Sequence, residues 1–548
     1  MKYRKIIINL LLILLLITSC SKQNDVIDTT IADNSQIYDN SLNNNVKEIY
    51  ITVLPPKANE DRYNFTFNDL NADLTDPINN FDPEVKIIFQ EGKNGEISKS
   101  DYGFGLTQYN ATMEQRGQSA RLSPLKSYKV NLNTKAPWDG YVTVNLNKHP
   151  FDDLRIRNKL AFDLIKDIPD ITSARTQFIH LFIKDYSEEN YSNDFVDYGL
   201  FTQIENIDKK YLENHNLDPN GTLYKIENFE FKRYEDIIMD VNDSDYSKKA
   251  FETILEIKEA DNHTKLISML DAVNNDNINI NKVIDTYFDR ENFLTWLALN
   301  IITDNVDTQS RNYFLYSPSQ YNIWYFIPWD YDKTLGGYED FRPIWQKGVS
   351  NFWGNTLINR YLRNEENREE LTKKIEEISE IINQKEIDKY VDLYKPISLE
   401  FLTRYPDSSI NKLSDEEINT EIEKLRKSKD VNIEEYYKSL QRPMPVFLYT
   451  PYSTGNFLEF NWSDSFDFQS DQIYYDFQLS DSPLFDNILL EKKNLLDNEL
   501  IIDNLPAGHY FYRVFIKDKY NNTSDAFDIY YDRATLTYCY GVKDFYSN

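Results

Sequence analysis

Two stretches of this chain gather oxygen ligands beside aromatic runs. The first is Asp304-Asn305-Val306-Asp307-Thr308-Gln309-Ser310-Arg311-Asn312-Tyr313-Phe314-Leu315-Tyr316, the second Trp324-Tyr325-Phe326-Ile327-Pro328-Trp329-Asp330-Tyr331-Asp332. The aromatic runs lie close enough to pair as a hairpin, which would bring Asp307, Asn312, Asp330 and Asp332 to one end of it. Carboxylate and amide oxygens are the ligands that hard divalent cations prefer. Phosphoryl transfer needs such a cation together with a carboxylate near the attacking hydroxyl. The five histidines (His149, His180, His215, His263 and His509) are scattered and suggest neither a zinc site nor a Ser-His-Asp hydrolase.

The elements that must position these groups are legible as changes of hydrophobic period. Alternation predicts strands over 48–54, 85–89, 128–132, 178–183, 198–204 and 222–226, the last preceded by the turn Asp218-Pro219-Asn220-Gly221. Helical spacing covers 151–166, with Leu154, Leu160, Ala161 and Leu164 on one side. It dominates 246–300 and returns over 364–404 and 415–440. Trp324, Trp329, Trp345 and Trp353 read as core. Pro443 and Pro445 mark a boundary. Beyond it, alternation returns at Leu458/Phe460/Trp462, Tyr475/Phe477/Leu479 and Tyr510/Tyr512/Val514, at intervals typical of a sandwich. These signals divide the chain into a leader (1–20), a flexible tether (21–46), a large α+β domain (47–442), an all-β domain (443–535) and a tail (536–548).

The leader has a basic start, Lys2, Arg4 and Lys5, before a run from Ile6 to Ile17 that is apolar except for Asn9. That run is too short to span a bilayer and fits a secretory signal. It ends in Leu16-Ile17-Thr18-Ser19-Cys20, which resembles the lipobox of bacterial lipoproteins. The resemblance implies lipidation of the Cys20 sulfur and a mature protein anchored outside the membrane of a bacterial cell envelope. Cys539 then has no partner for a disulfide. Lys and Arg total 60 against 89 Asp and Glu, a net charge of −29. That balance repels nucleic acid. It serves solubility, and it would also draw a basic partner or divalent cations.

Asp307 and Asn312 have the Asp-x-x-x-x-Asn spacing of a protein-kinase catalytic loop, a weak signal alone. Four further segments accompany it in order: Arg116-Gly117-Gln118-Ser119-Ala120-Arg121 before Lys126-Ser127-Tyr128-Lys129; Arg157-Asn158-Lys159-Leu160-Ala161; Tyr198-Gly199-Leu200-Phe201-Thr202-Gln203-Ile204-Glu205; and Pro328-Trp329-Asp330-Tyr331-Asp332. Together they resemble the CotH kinase family of atypical protein kinases, over about residues 47 to 400. The resemblance implies a divergent two-lobed kinase-like fold, ATP held between the lobes, a Mg or Mn ion, and transfer to Ser or Thr of a protein acceptor. It gives Asp307 the acceptor hydroxyl, and Asn312 and Asp330 the metal. Asp332 is either a further ligand or a surface carboxylate beside Gly336-Gly337. Lys129 is placed to pair with phosphate, and Lys126 is an equally placed rival. Arg116 would help cradle phosphate, and Glu205 would frame the nucleotide pocket or serve as a structural salt bridge. The segment after Pro443 resembles a fibronectin type III domain, an immunoglobulin-like sandwich, through Trp462 and Leu505…Tyr510…Arg513-Val514.

The chain departs from ordinary kinases in lacking a Gly-rich G-x-G-x-x-G loop, a His-Arg-Asp triplet and Asp-Phe-Gly, and no helix glutamate offers itself to the lysine. ATP is also scarce outside the cytoplasmic membrane. Two other expectations therefore stand: a catalytically silent kinase-like scaffold that binds a protein or surface polymer, and a calcium site at Asp330 and Asp332 that only stabilises a loop.

Overall fold

The computed structural model describes residues 30–31, 33–38, 44–72, 82–189, 192–338 and 342–547. The lipidation expected at Cys20 lies outside the described residues, as does much of the expected tether. Among the described residues no helix is long and apolar enough to cross a membrane.

Five of the six alternating runs of the first half close into a barrel together with two strands, 111–116 and 143–147, that the alternation did not announce. Its strands are β1 (Val46–Val53), β2 (Val85–Gly92), β3 (Ala111–Arg116), β4 (Ser127–Leu132), β5 (Thr143–Asn147), β6 (Thr176–Asp185) and β7 (Val196–Glu205), in the order β1-β2-β3-β4-β5-β7-β6. Neighbours are antiparallel except β1 and β6, whose parallel pairing closes the ring. Ile49, Ile51, Ile87, Phe89, Met113, Val130, Val144 and Leu181 fill its interior. Closure leaves no sheet edge to template aggregation.

A second sheet, ordered β11-β10-β8-β9, is embedded among helices: β8 (Thr222–Ile226), β9 (Leu255–Glu259), β10 (Tyr313–Ser317) and β11 (Tyr325–Pro328). The expected hairpin is β10 against β11. It is clamped to the buried helix Arg290–Thr303 through Asn292, whose Oδ1 accepts from Phe326 N at 2.6 Å while its Nδ2 donates to Phe326 O at 3.2 Å. The stretch 246–300, expected to be mainly helical, is interrupted by β9. Ile257 and Leu255 there pair with Tyr224 and Ile226 of β8, so a tertiary partner decides the conformation. The helix expected over 151–166 begins only at Arg157. Arg155 is left-handed (φ 60°), and the Asp152 carboxylate takes Leu154 N at 3.0 Å and Arg157 N at 2.8 Å, so the preceding residues form a turn. Helices Glu365–Ile381, Gln384–Leu402 and Asp415–Ser439 match the later periodic runs.

The C-terminal region is all β. A three-stranded sheet of β12 (Tyr452–Thr454), β13 (Phe457–Asn461) and β16 (Glu499–Asp503) shares a core with a second sheet. The second comprises β14 (Tyr474–Ser480), β15 (Ile488–Leu495), β17 (Gly508–Lys517), β18 (Thr523–Asp525) and β21 (Val542–Ser547), and β19 (Ile529–Asp532) pairs β20 (Thr537–Tyr540). Trp462, Phe460 and Phe477 pack at the centre. Residues 536–548, expected as a tail, instead supply β20 and β21. The latter pairs along β17 and buries Val542 and Phe545. Part of the expected tether is likewise docked: Ile31 is buried, and the Tyr38 hydroxyl donates to Ser173 O at 2.7 Å. Trp345 packs on Phe527 and Trp353 on Phe466, so two of the four tryptophans seat the sandwich on the larger domain.

Candidate functional site

The hairpin register opposes Tyr313 to Pro328, which sets Asn312 and the Trp329-Asp330 segment at the same end. Asp307 reaches that end from a short 3-10 turn, Val306–Gln309, just after the helix Arg290–Thr303. Three residues here are left-handed: Asp304 (φ 58°), Asn312 (φ 62°) and Asp330 (φ 58°). Asp and Asn tolerate that conformation better than other non-glycine residues, and its clustering is typical of functional loops. Asn305 Nδ2 donates to Asp330 O at 3.2 Å and ties the two loops together.

The carboxylates feel one another. Burial pushes the Asp330 carboxyl well above the ordinary range, Asp332 and Asp307 push it further, and Arg116 and Lys225 oppose them. Asp307 is also raised, by burial and then by Asp332, against the pull of Arg311 and Lys333. Arg116, at the end of β3, is lowered to about 10 by burial despite Asp330 and Glu114. Its Nη1 donates to Asn147 Oδ1 at 2.5 Å, and its guanidinium sits 5.8 Å from the Trp329 ring. Asp332 Oδ2 lies 3.7 Å from Nδ1 of buried His149. The barrel thus brings Arg116 to carboxylates that stand at and just before the hairpin, where Lys225 of β8 adds a second positive charge.

Lys129 points from β4 with its Nζ 2.6 Å from Glu114 Oε1, directly across the β3–β4 register. The glutamate partner that no helix offered is therefore on the neighbouring strand. Lys129 also faces the second sheet: burial would raise the Glu256 carboxyl, yet Lys258, Lys225 and Lys129 hold it below its usual value. Gln118 reaches the same sheet, with Nε2 3.4 Å from Glu227 Oε2. Lys126 instead donates to Arg121 O, so its ammonium is engaged in its own turn.

Glu205 joins a different network. It accepts from Arg175 Nη2 at 2.6 Å and Asn214 Nδ2 at 3.0 Å, and lies 3.1 Å from His215 Nε2. His215 in turn holds Asp33 at 2.6 Å. Burial would raise the Glu205 carboxyl, but His215 and Arg175 hold it down to about 2. None of its contacts is a residue of the Asp330 site, so it takes the salt-bridge alternative of the two expected for it.

Among the described residues no three His, Cys, Asp or Glu side chains gather to hold an ion by themselves. The all-oxygen set of Asp330, Asp332 and Asn312 nevertheless suits Mg or Mn, which are commonly bound by one or two carboxylates completed by phosphate and water. The unfavourable charge on Asp330 is the kind that a cation relieves. Glu114, Asn147, His149, Lys225 and Glu256 escaped sequence reasoning, since only the barrel and the second sheet bring them to the site. The one usable signal is the two-residue alternation that sets Glu114 on the same strand as Arg116.

The model of the family described as CotH kinase protein matches residues 113–429, more than half of the chain. This chain belongs to that family. The matched span contains the site described above, from Glu114 to His149 in the barrel and from Lys225 to Asp332 beyond it. A relative, inner spore coat protein H of Bacillus subtilis (strain 168), is 26% identical over 223 residues, 40% of this chain and 58% of the relative. The chain thus spans somewhat more than half the length of that CotH protein.

Proposed function

We propose that this CotH-family chain is a lipid-anchored, extracytoplasmic protein kinase that transfers the ATP γ-phosphate to Ser or Thr of a protein acceptor. The observation carrying this reading is the convergence of Asp307, Asp330 and Asp332 near Arg116 at the seam between barrel and hairpin, where burial and the neighbouring carboxylates push Asp330 and Asp307 up while Arg116 pulls Asp330 down. On this reading the barrel and the helical part act as the two lobes of a kinase-like fold. Asp307 accepts the proton of the acceptor hydroxyl and orients its oxygen, a role helped by a carboxyl that burial makes more basic. Arg116 and Lys129 bind phosphate oxygens, with Asn147 and Glu114 fixing where each cation points. Asn312, Asp330 and Asp332 would hold Mg or Mn, which supplies neutralisation of phosphate charge. The net charge of −29 disfavours nucleic acid and favours a basic acceptor. A lipid on Cys20 would keep the chain at the envelope, with the fibronectin type III-like sandwich as its outer module; the relative's name places that protein in a spore coat.

The test is phosphate transfer from γ-labelled ATP to a basic Ser/Thr-containing protein, with Mg or Mn. Wild type should label it, and Asp307→Ala should lose at least a hundredfold while keeping its melting point. Equal behaviour of the two proteins would leave the silent scaffold as the better reading.

A further inference from the structure

A cleft of about 940 Å³ opens between the larger domain and the C-terminal sandwich, apart from the carboxylate site. Its volume is within the range of ligand sites. One wall is Trp353, Arg363 and Asp276 from the larger domain; the other is Phe447, Tyr449 and Asp464 from the sandwich.

Three features describe what this cleft would hold. Tyr449 and Phe447 are 52% and 40% exposed; Phe447 stacks on Phe527 at 4.6 Å and so offers its remaining surface beside Tyr449. Tyr449 is nevertheless held in place: its N–H donates to Asn461 O at 3.0 Å and its carbonyl accepts from the Tyr512 hydroxyl at 2.5 Å. Arg363 stacks 5.1 Å from the Trp353 ring and spends Nε on Asn359 Oδ1 at 2.9 Å. Among the described residues its guanidinium has no carboxylate at ion-pair distance, so its terminal N–H groups remain to donate. Acceptors face it: Asp276 and Asp464 both act on the Arg363 charge, the Asp276 side chain is 94% exposed with Arg360 Nε at 3.5 Å, and Asp464 uses Oδ1 on Asn498 at 3.0 Å.

An occupant must therefore accept from an arginine, donate to carboxylates and lay a flat apolar face on aromatic rings. A polyanion meets Asp276 and Asp464, and a polycation meets Arg363. A peptide binding by strand addition needs an unpaired strand edge, whereas these walls are helix ends and loops. Hydroxyl groups donate and accept at once, and the C–H face of a pyranose ring packs on aromatic rings. From this geometry we infer that the cleft binds a neutral oligosaccharide, as part of a longer glycan. It exists only while the sandwich is seated, and it is independent of phosphoryl transfer.

The test is calorimetric titration of the full chain with cellohexaose, chitohexaose and xylohexaose, and with trigalacturonate and an acidic and a basic peptide as comparators. A neutral hexasaccharide should bind. Tyr449→Ala and Asp464→Asn should each weaken it at least tenfold without moving the melting point, and exposed Tyr520→Ala on the sandwich should leave it unchanged. The inference is overturned if no neutral oligosaccharide binds at millimolar concentration, if binding ignores both cleft substitutions, or if only trigalacturonate or a peptide binds.

Discussion

Replacing Asp407 by Ala isolates one buried charge beside the candidate site. Lys148, which follows β5 and precedes His149, is fully buried with its Nζ 2.9 Å from Asp407 Oδ1. Tyr198 O and Leu200 O accept from the same ammonium at 2.7 and 3.1 Å, and Asp407 Oδ2 accepts from Leu200 N at 3.1 Å. Removing the carboxylate leaves an uncompensated ammonium in the interior, a loss of about 3–5 kcal/mol. Burial lowers Lys148 to about 8 even with Asp407 present. Because that folded value lies below the ordinary 10.5, the folded state favours the neutral amine, and stability from this group grows as pH rises between the two values. Above pH 8 Lys148 is largely neutral in wild type and variant alike. The cost of Asp407→Ala should then shrink to about 1–2 kcal/mol, that of the orphaned Leu200 N–H. Urea unfolding of both proteins at pH 7 and pH 9.5 measures this. A loss below about 1 kcal/mol at pH 7, or one that does not diminish at pH 9.5, would refute the reasoning.

Glu205, held down to about 2 from 4.5, should contribute about 3 kcal/mol that is complete above pH 4.5 and disappears as pH falls toward 2. Glu205→Gln should flatten that acid limb of stability against pH. Asn292→Leu removes both hydrogen bonds that clamp Phe326 and should cost about 2–4 kcal/mol by leaving a buried backbone donor and acceptor unpaired, read as a lower melting point. Removing residues 542–548 strips a strand from β17 and the buried Phe545 ring, and should lower the melting point of the sandwich and promote association through the bared edge. Glu114→Gln should raise the KM for ATP severalfold with a smaller effect on kcat, since it frees Lys129 without touching the carboxylates; a change confined to kcat would contradict its assignment to phosphate binding.

Where local pattern decided the outcome, the fold was legible. The period-two runs became strands of the barrel, β8 of the second sheet and the sandwich strands β13, β14 and β17, the long amphipathic stretches became the helices 365–381, 384–402 and 415–439, and the paired aromatic runs became β10 and β11. The candidate oxygen ligands were legible with it, because Asn312 and Asp330 flank the paired strands and Asp307 sits in the short turn just before Asn312. What escaped depends on contacts far apart in the chain. The parallel pairing of β1 with β6 closes the barrel across more than a hundred residues. β9 is a strand because β8 pairs with it, and β21 because β17 does. Glu114 becomes the partner of Lys129 only through the β3–β4 register, and Glu205 is drawn away by Arg175 and His215, which nothing near it in sequence announces.

The proposed kinase activity requires the Asp330 site to bind nucleotide with a metal. Thermal unfolding with ATP and Mg or Mn tests it most directly. Ligand at about a hundred times its dissociation constant should stabilise the folded state by about 2.7 kcal/mol. The account predicts a rise in melting point that needs both ATP and metal and vanishes in Asp330→Ala. No rise across a wide range of ATP, with the protein folded throughout, would contradict it.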